Sequence, residues 1–194
     1  MIGADTVYKD GFFRKRKFLR WRAPHVCGAI AALWEFDSVM DVGCGGGDLV
    51  AGFAALGKKA TGLECSAEAM PYLLCDPAAV MIHDLQLPLP EGTPRVDLVT
   101  VFEVMEHIAP ETAGQALDNL CQLSDQLVTS ISGAHGRYHL QVQPRDWWER
   151  KFNARGYVRD VDRELELLKM WQPLRLRVGI KCYWDALIAF TRKR

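Results

Sequence analysis

Apolar positions along this chain arrive in short blocks that switch between two periods. Val26, Ile30, Leu33 and Trp34 fall at helical spacing, so residues 12–34 read as helix, broken near Pro24. SVMDV then forms a short apolar run that ends in the glycine cluster GCGGG, the pattern of a strand entering a tight turn. DLVAGFAALG reads as a helix stopped by Gly57. KATGLEC is a second strand. SAEAMPYLL opens on Ser66, an N-cap candidate, and carries Pro71 in its interior, which a helix tolerates poorly. VMIHDL, the start of VDLVTVFEVMEHI, and DQLVTSIS supply three more strands. PETAGQALDNLCQL is helical between the last two, with Pro110 near its start. Strands alternating with helices predict an α/β fold with an open, mostly parallel sheet. In the tail, PRDWWERKFNARGY reads as a helix ending at Gly156 and DRELELLKMW as another. LRLRVGIKCYWDALIAFTRK holds two strand-like runs with little between them, which predict an antiparallel hairpin at the end of the sheet.

Composition narrows the class. The 194 residues are 49% hydrophobic and 10% aromatic, without repeat, low-complexity tract or Gly/Ser/Pro linker, so one domain over 1–194 is expected. Lys, Arg or Asp interrupts every apolar run before it reaches bilayer length, so no membrane span is expected. The basic stretch RKRKFLRWR follows Phe12 and Phe13 without the apolar run of a secretion signal. None of the six cysteines forms a CxxC pair, so no metal site is expected, and a reducing cytoplasm is the natural compartment. Lys plus Arg equal Asp plus Glu at 24 each, which argues against a protein that coats nucleic acid. The charge is unevenly placed. Residues 1–30 carry seven bases and two acids, residues 170–194 six and one, and the centre 11 and 21. Two basic ends therefore flank an acidic middle.

That acidic middle holds the informative chemistry. Gly43, Gly45 and Gly47 occupy the turn between the first strand and its helix, where glycine tolerates positive φ and lets backbone approach a ligand. Glu64 ends the second strand, 23 residues after Asp41, where a carboxylate can accept both ribose hydroxyls of a nucleoside. Asp84 ends the third, where an acid can accept from an adenine amino group. Consecutive strands thus carry polar groups to the carboxyl edge, where open α/β sheets bind ligands. A nicotinamide-dependent oxidoreductase is the nearest rival. It would show G-x-G-x-x-G/A, and Asp48 at the helix start would repel a pyrophosphate.

VMDVGCGGG, GLEC, HDL and VDLVTVFEVMEHI, in that order, resemble the class I S-adenosylmethionine-dependent methyltransferases over roughly residues 37–132. GAHGRYHLQVQPRDWWERKFNARGY more loosely resembles small phage and cell-surface-glycan relatives. The resemblance implies a Rossmann-like, doubly wound seven-stranded sheet with the last strand antiparallel and helices on both faces. It implies a helical lid over 1–36, a cofactor-binding half over 37–132 and a substrate-side half over 133–194. It assigns Asp41, Gly43, Cys44, Gly45 and Gly47 to the amino-acid part of S-adenosyl-L-methionine. Glu64 with Cys65 goes to the ribose, Asp84 with Leu85 to the adenine, and Phe102 with Glu103 to the methionine side. S-adenosyl-L-homocysteine would be the product.

Methyl transfer is an in-line displacement from an activated donor, so alignment and water exclusion do most of the work. A base is needed only if the nucleophile must lose a proton. His107 and His139 are the catalytic candidates, each weighed against a plain structural role. His135, Tyr8 and Trp148 are candidate substrate contacts. Glu106 could serve as a base, but a local pairing is the plainer reading. Trp147, Trp148 and Phe152 sit at amphipathic-helix spacing, for which core packing is favoured. The Arg14–Arg22 stretch is the lid or a solvated helix face. D/N-P-P-Y/F, Pro-Cys, the Lys-Asp-Lys-Glu set and an acidic metal triad are all unassembled here. Metal-independent transfer to oxygen or nitrogen of a small molecule or sugar is therefore expected. The alternative is a methyltransferase or cofactor-binding module that reaches RNA, DNA or protein through its basic ends, a partner class not favoured by the balanced charge.

Overall fold

A computed structural model describes residues 10–136, 138–177 and 180–193. Helices α1 (Asp10–Arg16) and α2 (Ala23–Leu33) are joined by a 3-10 turn, Lys17–Arg22. Strand β1 (Ser38–Val42), α3 (Asp48–Ala55), β2 (Lys59–Glu64) and β3 (Val80–Ile82) follow. Then come β4 (Leu98–Phe102), α4 (Ala113–Leu123), β5 (Gln126–Ser130), α5 (Arg145–Asn153) and β6 (Tyr157–Arg159). The chain ends with α6 (Val161–Trp171), α7 (Lys181–Ala186) and β7 (Leu187–Arg192).

These strands form one seven-stranded sheet in the order β3-β2-β1-β4-β5-β7-β6. The first five run parallel, and β7 lies antiparallel to both β5 and β6. A parallel sheet covered on both faces needs continuously apolar strands. LVTVF of β4 is buried at every position. Alternate residues serve two cores. Met40, Val42, Val99 and Val101 pack on one face with Leu117 and Leu120 of α4 and Trp148 and Phe152 of α5. Val39, Leu98 and Val128 pack on the other with Ile30, Phe53, Leu167 and Trp171 from α2, α3 and α6. Among the described residues, no helix is long and apolar enough to cross a membrane.

Three local expectations change. Pro24 starts α2 rather than breaking a helix, as proline suits a first turn that needs no N–H partner; the break is the 3-10 turn before it. Ser66 does cap a turn, its Oγ accepting from Glu68 N–H at 3.3 Å, but the segment behind it is 3-10 (Ala67–Tyr72) around Pro71. The terminal hairpin is built differently. β7 pairs with β6, across the whole of α6, while Gln172–Leu174 is 3-10 and KCYWDA is helical. The LRLR alternation forms no strand: Leu174 is half-buried against the core, while Leu176 is 79% exposed. Tyr183, two residues past Lys181, instead stacks on Phe102 at 4.4 Å, and that contact favours a helix there. Glu164 of α6 fastens the real pairing. It is buried, takes Arg159 of β6 at 2.6–3.0 Å and accepts Ala189 N–H of β7 at 2.8 Å.

Candidate active site

The site grows from the turn after β1. Gly43, Gly45 and Gly47 hold φ of +72°, +54° and +69°, a region where a side chain is strained. A Cβ on Gly43 would run into Val104, and one on Gly47 would lie 2.6 Å from Cys75 Sγ. The turn is pinned to β2, since Gly43 and Cys44 N–H both donate to Leu63 O, at 2.7 and 3.2 Å. Cys44 packs its thiol against β2, where Gly62 leaves room. Glu64 completes the turn: Oε2 accepts Gly45 N–H at 2.8 Å, and Oε1 accepts Ser66 N–H at 3.0 Å and the Cys65 thiol at 3.3 Å.

Asp84 is held by Gln86, whose backbone N–H donates to Oδ1 at 2.9 Å and whose Nε2 lies 3.3 Å from both oxygens. Gln86 Oε1 in turn accepts Ala109 N–H and Thr112 Oγ1, at 3.1 and 2.7 Å, which ties Asp84 to the segment after β4. Asp41 points across the sheet. It is 5% exposed, and Thr100 Oγ1, its register partner on β4, donates to Oδ1 at 2.7 Å. Burial pushes its pKa up to about 7, opposed by the Thr100 bond and the Arg22 charge. Leu85 and Phe102 lie in the two cores, so their side chains supply packing under the edge.

Glu103 leaves β4 in the left-handed region, φ +57°. Its N–H donates to Ser130 O at 3.0 Å, and Ser130 Oγ donates to Oε1 at 2.8 Å. Burial raises its pKa, with the nearby Ser130, His139, Arg16 and Arg22 opposing. The 3-10 turn Met105–His107 comes next, and the loop after β5 folds onto it through Leu140 and Gln141 N–H, which donate to Glu106 O at 2.9 and 3.1 Å. That loop brings the two catalytic candidates together. The His107 and His139 rings meet edge to face at 4.9 Å. His107 Nδ1 faces Tyr138 O at 3.0 Å and His139 Nδ1 faces Ala134 O at 2.8 Å. Burial holds the His107 pKa below its ordinary value, so the ring is neutral near pH 7. Glu106 is 0% exposed, and burial, then Glu103, pushes its pKa up to about 8.

The remaining candidates separate. His135 is exposed on the same loop. Tyr8 lies outside the described residues. Trp148 as an acceptor-pocket wall is corrected: it is 0% exposed and packs in the core with Phe152 and Trp147, leaving no face for a ligand. The basic stretch near the N-terminus does cross the glycine turn. Phe13 lies 4.0 Å from where a Gly45 Cβ would stand and stacks on Tyr72 at 6.3 Å. Arg20 donates to Tyr72 O at 2.7 Å and sits 3.6 Å from Asp48. Sequence reasoning passed over Gln86, Thr100 and Ser130, whose partners lie on other strands or loops. Glu106 was in view only as a lone acid, since its neighbour His139, 33 positions on, is brought in by the loop.

The sequence signature of a family described as a methyltransferase domain matches residues 16–172. A ubiquinone biosynthesis O-methyltransferase of Alkalilimnicola ehrlichii is 30% identical over 182 residues, covering 80% of this chain and 72% of that protein. A TehB-like SAM-dependent methyltransferase from Corynebacterium glutamicum superposes with TM-score 0.65 at 16% identity, over 92% of this chain and 97% of the other. SAM-bound CalS10, an amino pentose methyltransferase of Micromonospora echinaspora, gives 0.64 at 16%, over 95% and 96%. Some matched structures are longer chains, of which this one spans 58% or 48%. The two superpositions share the doubly wound fold with its antiparallel last strand, and the sequence match covers the turn, Glu64 and Asp84. This chain belongs to the methyltransferase-domain family and is a class I S-adenosylmethionine-dependent methyltransferase.

Proposed function

We propose that the protein methylates an oxygen or nitrogen atom of a small molecule or sugar, with a hydroxyl the favoured acceptor. The observation that carries the donor half is the left-handed turn locked to Glu64 through Gly45 N–H. The donor set fits S-adenosyl-L-methionine. Ionised carboxylates only accept hydrogen bonds, and Glu64 and Asp84 stand at successive strand ends where ribose hydroxyls and an adenine amino group only need acceptors. When bound, the donor supplies a methyl carbon on a sulfonium, which is activated without further chemistry.

The chain's own residues then do three things. Glu64 and Asp84 orient the nucleoside. Glu103, at the end of β4, places an acid on the methionine side, which favours a cationic donor over its neutral product. Phe13 and Arg20 close the edge against water, which strengthens every polar contact inside. His107 and His139 form the acceptor side. Carbonyl oxygens accept from both Nδ1–H groups, which fixes each ring in the tautomer whose Nε2 is the basic atom. The name of the Alkalilimnicola ehrlichii relative supports oxygen as the atom methylated.

Calorimetry tests the donor half. Wild-type protein is expected to bind S-adenosyl-L-methionine, and Glu64→Ala to bind it at least about tenfold more weakly, the equivalent of one charge-assisted hydrogen bond. Wild-type protein that fails to bind would refute the reading. A screen of hydroxylated small molecules and sugars with labelled methyl donor then addresses the acceptor.

A further inference from the structure

The two basic ends of the sequence form one surface in the fold. Residues 11–34 hold six bases and no acid, and residues 167–184 hold four bases and no acid. The Arg177 guanidinium lies 4.1 Å from the centre of the Trp21 ring, which joins the turn after α6 to the 3-10 segment Lys17–Arg22. Asp48 reaches this face from the glycine turn, 3.6 Å from Arg20. Among the described residues, Arg14, Lys15, Lys17, Arg175 and Arg177 pair with no acid. Every residue from Arg14 to Phe18, and from Arg175 to Arg177, is exposed.

Two apolar side chains stand out among these charges. Leu176 and Phe18, at 79% and 62%, are the most exposed large hydrophobic residues of the described chain. Packing explains neither. Phe13 and Leu19 are the buried positions that anchor the N-terminal segment, and Leu174 is the leucine of its turn that packs against the core. Side chains three apart eclipse on a 3-10 turn, so Phe18 shares a side with Trp21. The Arg177 contact on that ring brings the Leu176 turn alongside. Single exposed apolar residues are ordinary on a protein surface, whereas the two most exposed ones set within a single basic face mark a place of contact.

We propose that this face docks the protein on an anionic bilayer surface, with the bases against lipid headgroups and Phe18 and Leu176 in the apolar layer just beneath. The charge calls for an anionic partner, and the two apolar side chains choose among anions. A single-stranded nucleic acid could stack a base on Phe18, but leucine has no flat face, and Leu176 would stay in water. A lipid surface uses both kinds of group. Phosphates attract the bases over a Debye length, and apolar tips that enter the headgroup boundary add hydrophobic burial. Long Lys and Arg stems let the charges remain at headgroup level while the tips go deeper. The face belongs to the segment whose Phe13 and Arg20 cover the glycine turn, so docking brings the donor edge to the membrane surface. It holds whichever atom is methylated.

Sedimentation of the full chain with vesicles tests this. The protein is expected to pellet with phosphatidylcholine vesicles that carry about 30% phosphatidylglycerol, and at least about tenfold more weakly with phosphatidylcholine alone. Raising salt from about 50 to about 300 mM should weaken the anionic binding by a similar factor. The double variant Phe18→Ser, Leu176→Ser keeps every charge and should lose about tenfold or more in vesicle binding, with S-adenosyl-L-methionine affinity within about twofold of wild type. Lys15→Glu with Arg175→Glu, both exposed, should lose as much by the charge route. Failure to pellet with anionic vesicles at low salt, equal binding to neutral ones, or vesicle binding unchanged in the Phe18 and Leu176 variant overturns the proposal. So does tighter binding to a single-stranded RNA oligonucleotide than to the anionic vesicles at the same salt, which would assign the face to nucleic acid.

Discussion

The Gly45 backbone N–H donates to Glu64 Oε2 at 2.8 Å, so the acid that ends β2 and the turn that ends β1 form one rigid piece. Glu64→Gln replaces an acceptor with an amide NH2 that faces an N–H donor on one side. Folding stability should fall by about 1–3 kcal/mol, with S-adenosyl-L-methionine affinity falling at least tenfold. Urea unfolding and calorimetry measure the two separately. A variant with full donor affinity would show that Glu64 serves the turn alone.

Asp41 should make stability pH-dependent. Burial raises its pKa to about 7, so the folded state holds a proton that the unfolded chain, with an ordinary value near 3.8, has released. Its contribution is fully present below about pH 4 and is lost as pH rises through 7. The difference in unfolding free energy between wild type and Asp41→Asn should therefore shift by a few kcal/mol, roughly, from pH 5 to pH 8, against the wild type. Denaturation curves at several pH values read it, and a flat difference would place the carboxylate in a far more polar setting.

Arg20 binds Tyr72 O and approaches Asp48, so it latches the N-terminal segment over the turn. Arg20→Ala should raise the KM for donor by about 3- to 10-fold, the worth of one partly exposed charged hydrogen bond, with little change in melting temperature. Steady-state kinetics with saturating acceptor give the answer. An unchanged KM would leave the segment a passive cover.

Glu164 is 2% exposed and holds Arg159 together with Ala189 N–H. Glu164→Ala leaves a guanidinium and an amide without their partner and should cost about 3–5 kcal/mol. Chemical denaturation should show this, with donor affinity preserved wherever the variant still folds. A loss under 1 kcal/mol would mean water replaces the carboxylate.

Much of this protein is legible along the chain because the relevant signals are local. A strand buried on both faces reads as an apolar run, so SVMDV and LVTVF declare themselves. The glycine turn, Glu64 and Asp84 lie at strand ends, and strand ends are visible wherever an apolar run stops. β6 was not legible: three residues gain their strand geometry from β7 and from Glu164, distant in sequence. KCYWDA lies in a stretch that reads as two strand-like runs, and it is a helix whose Tyr183 stacks on Phe102, a contact invisible along the chain.

The sequence by itself determined the class of fold and the place of the glycine turn, Glu64 and Asp84 at strand ends, since those depend on periodicity and on spacing within single βα units. Only the tertiary structure decided which side chains gather beyond β4 and β5. It turned Asp41 toward Thr100, sent Trp148 into the core, and set His139 against His107 and a buried Glu106. Those relationships join segments tens of residues apart, and their energies come from desolvation, a property that a residue acquires only when the sheet and its loops close around it.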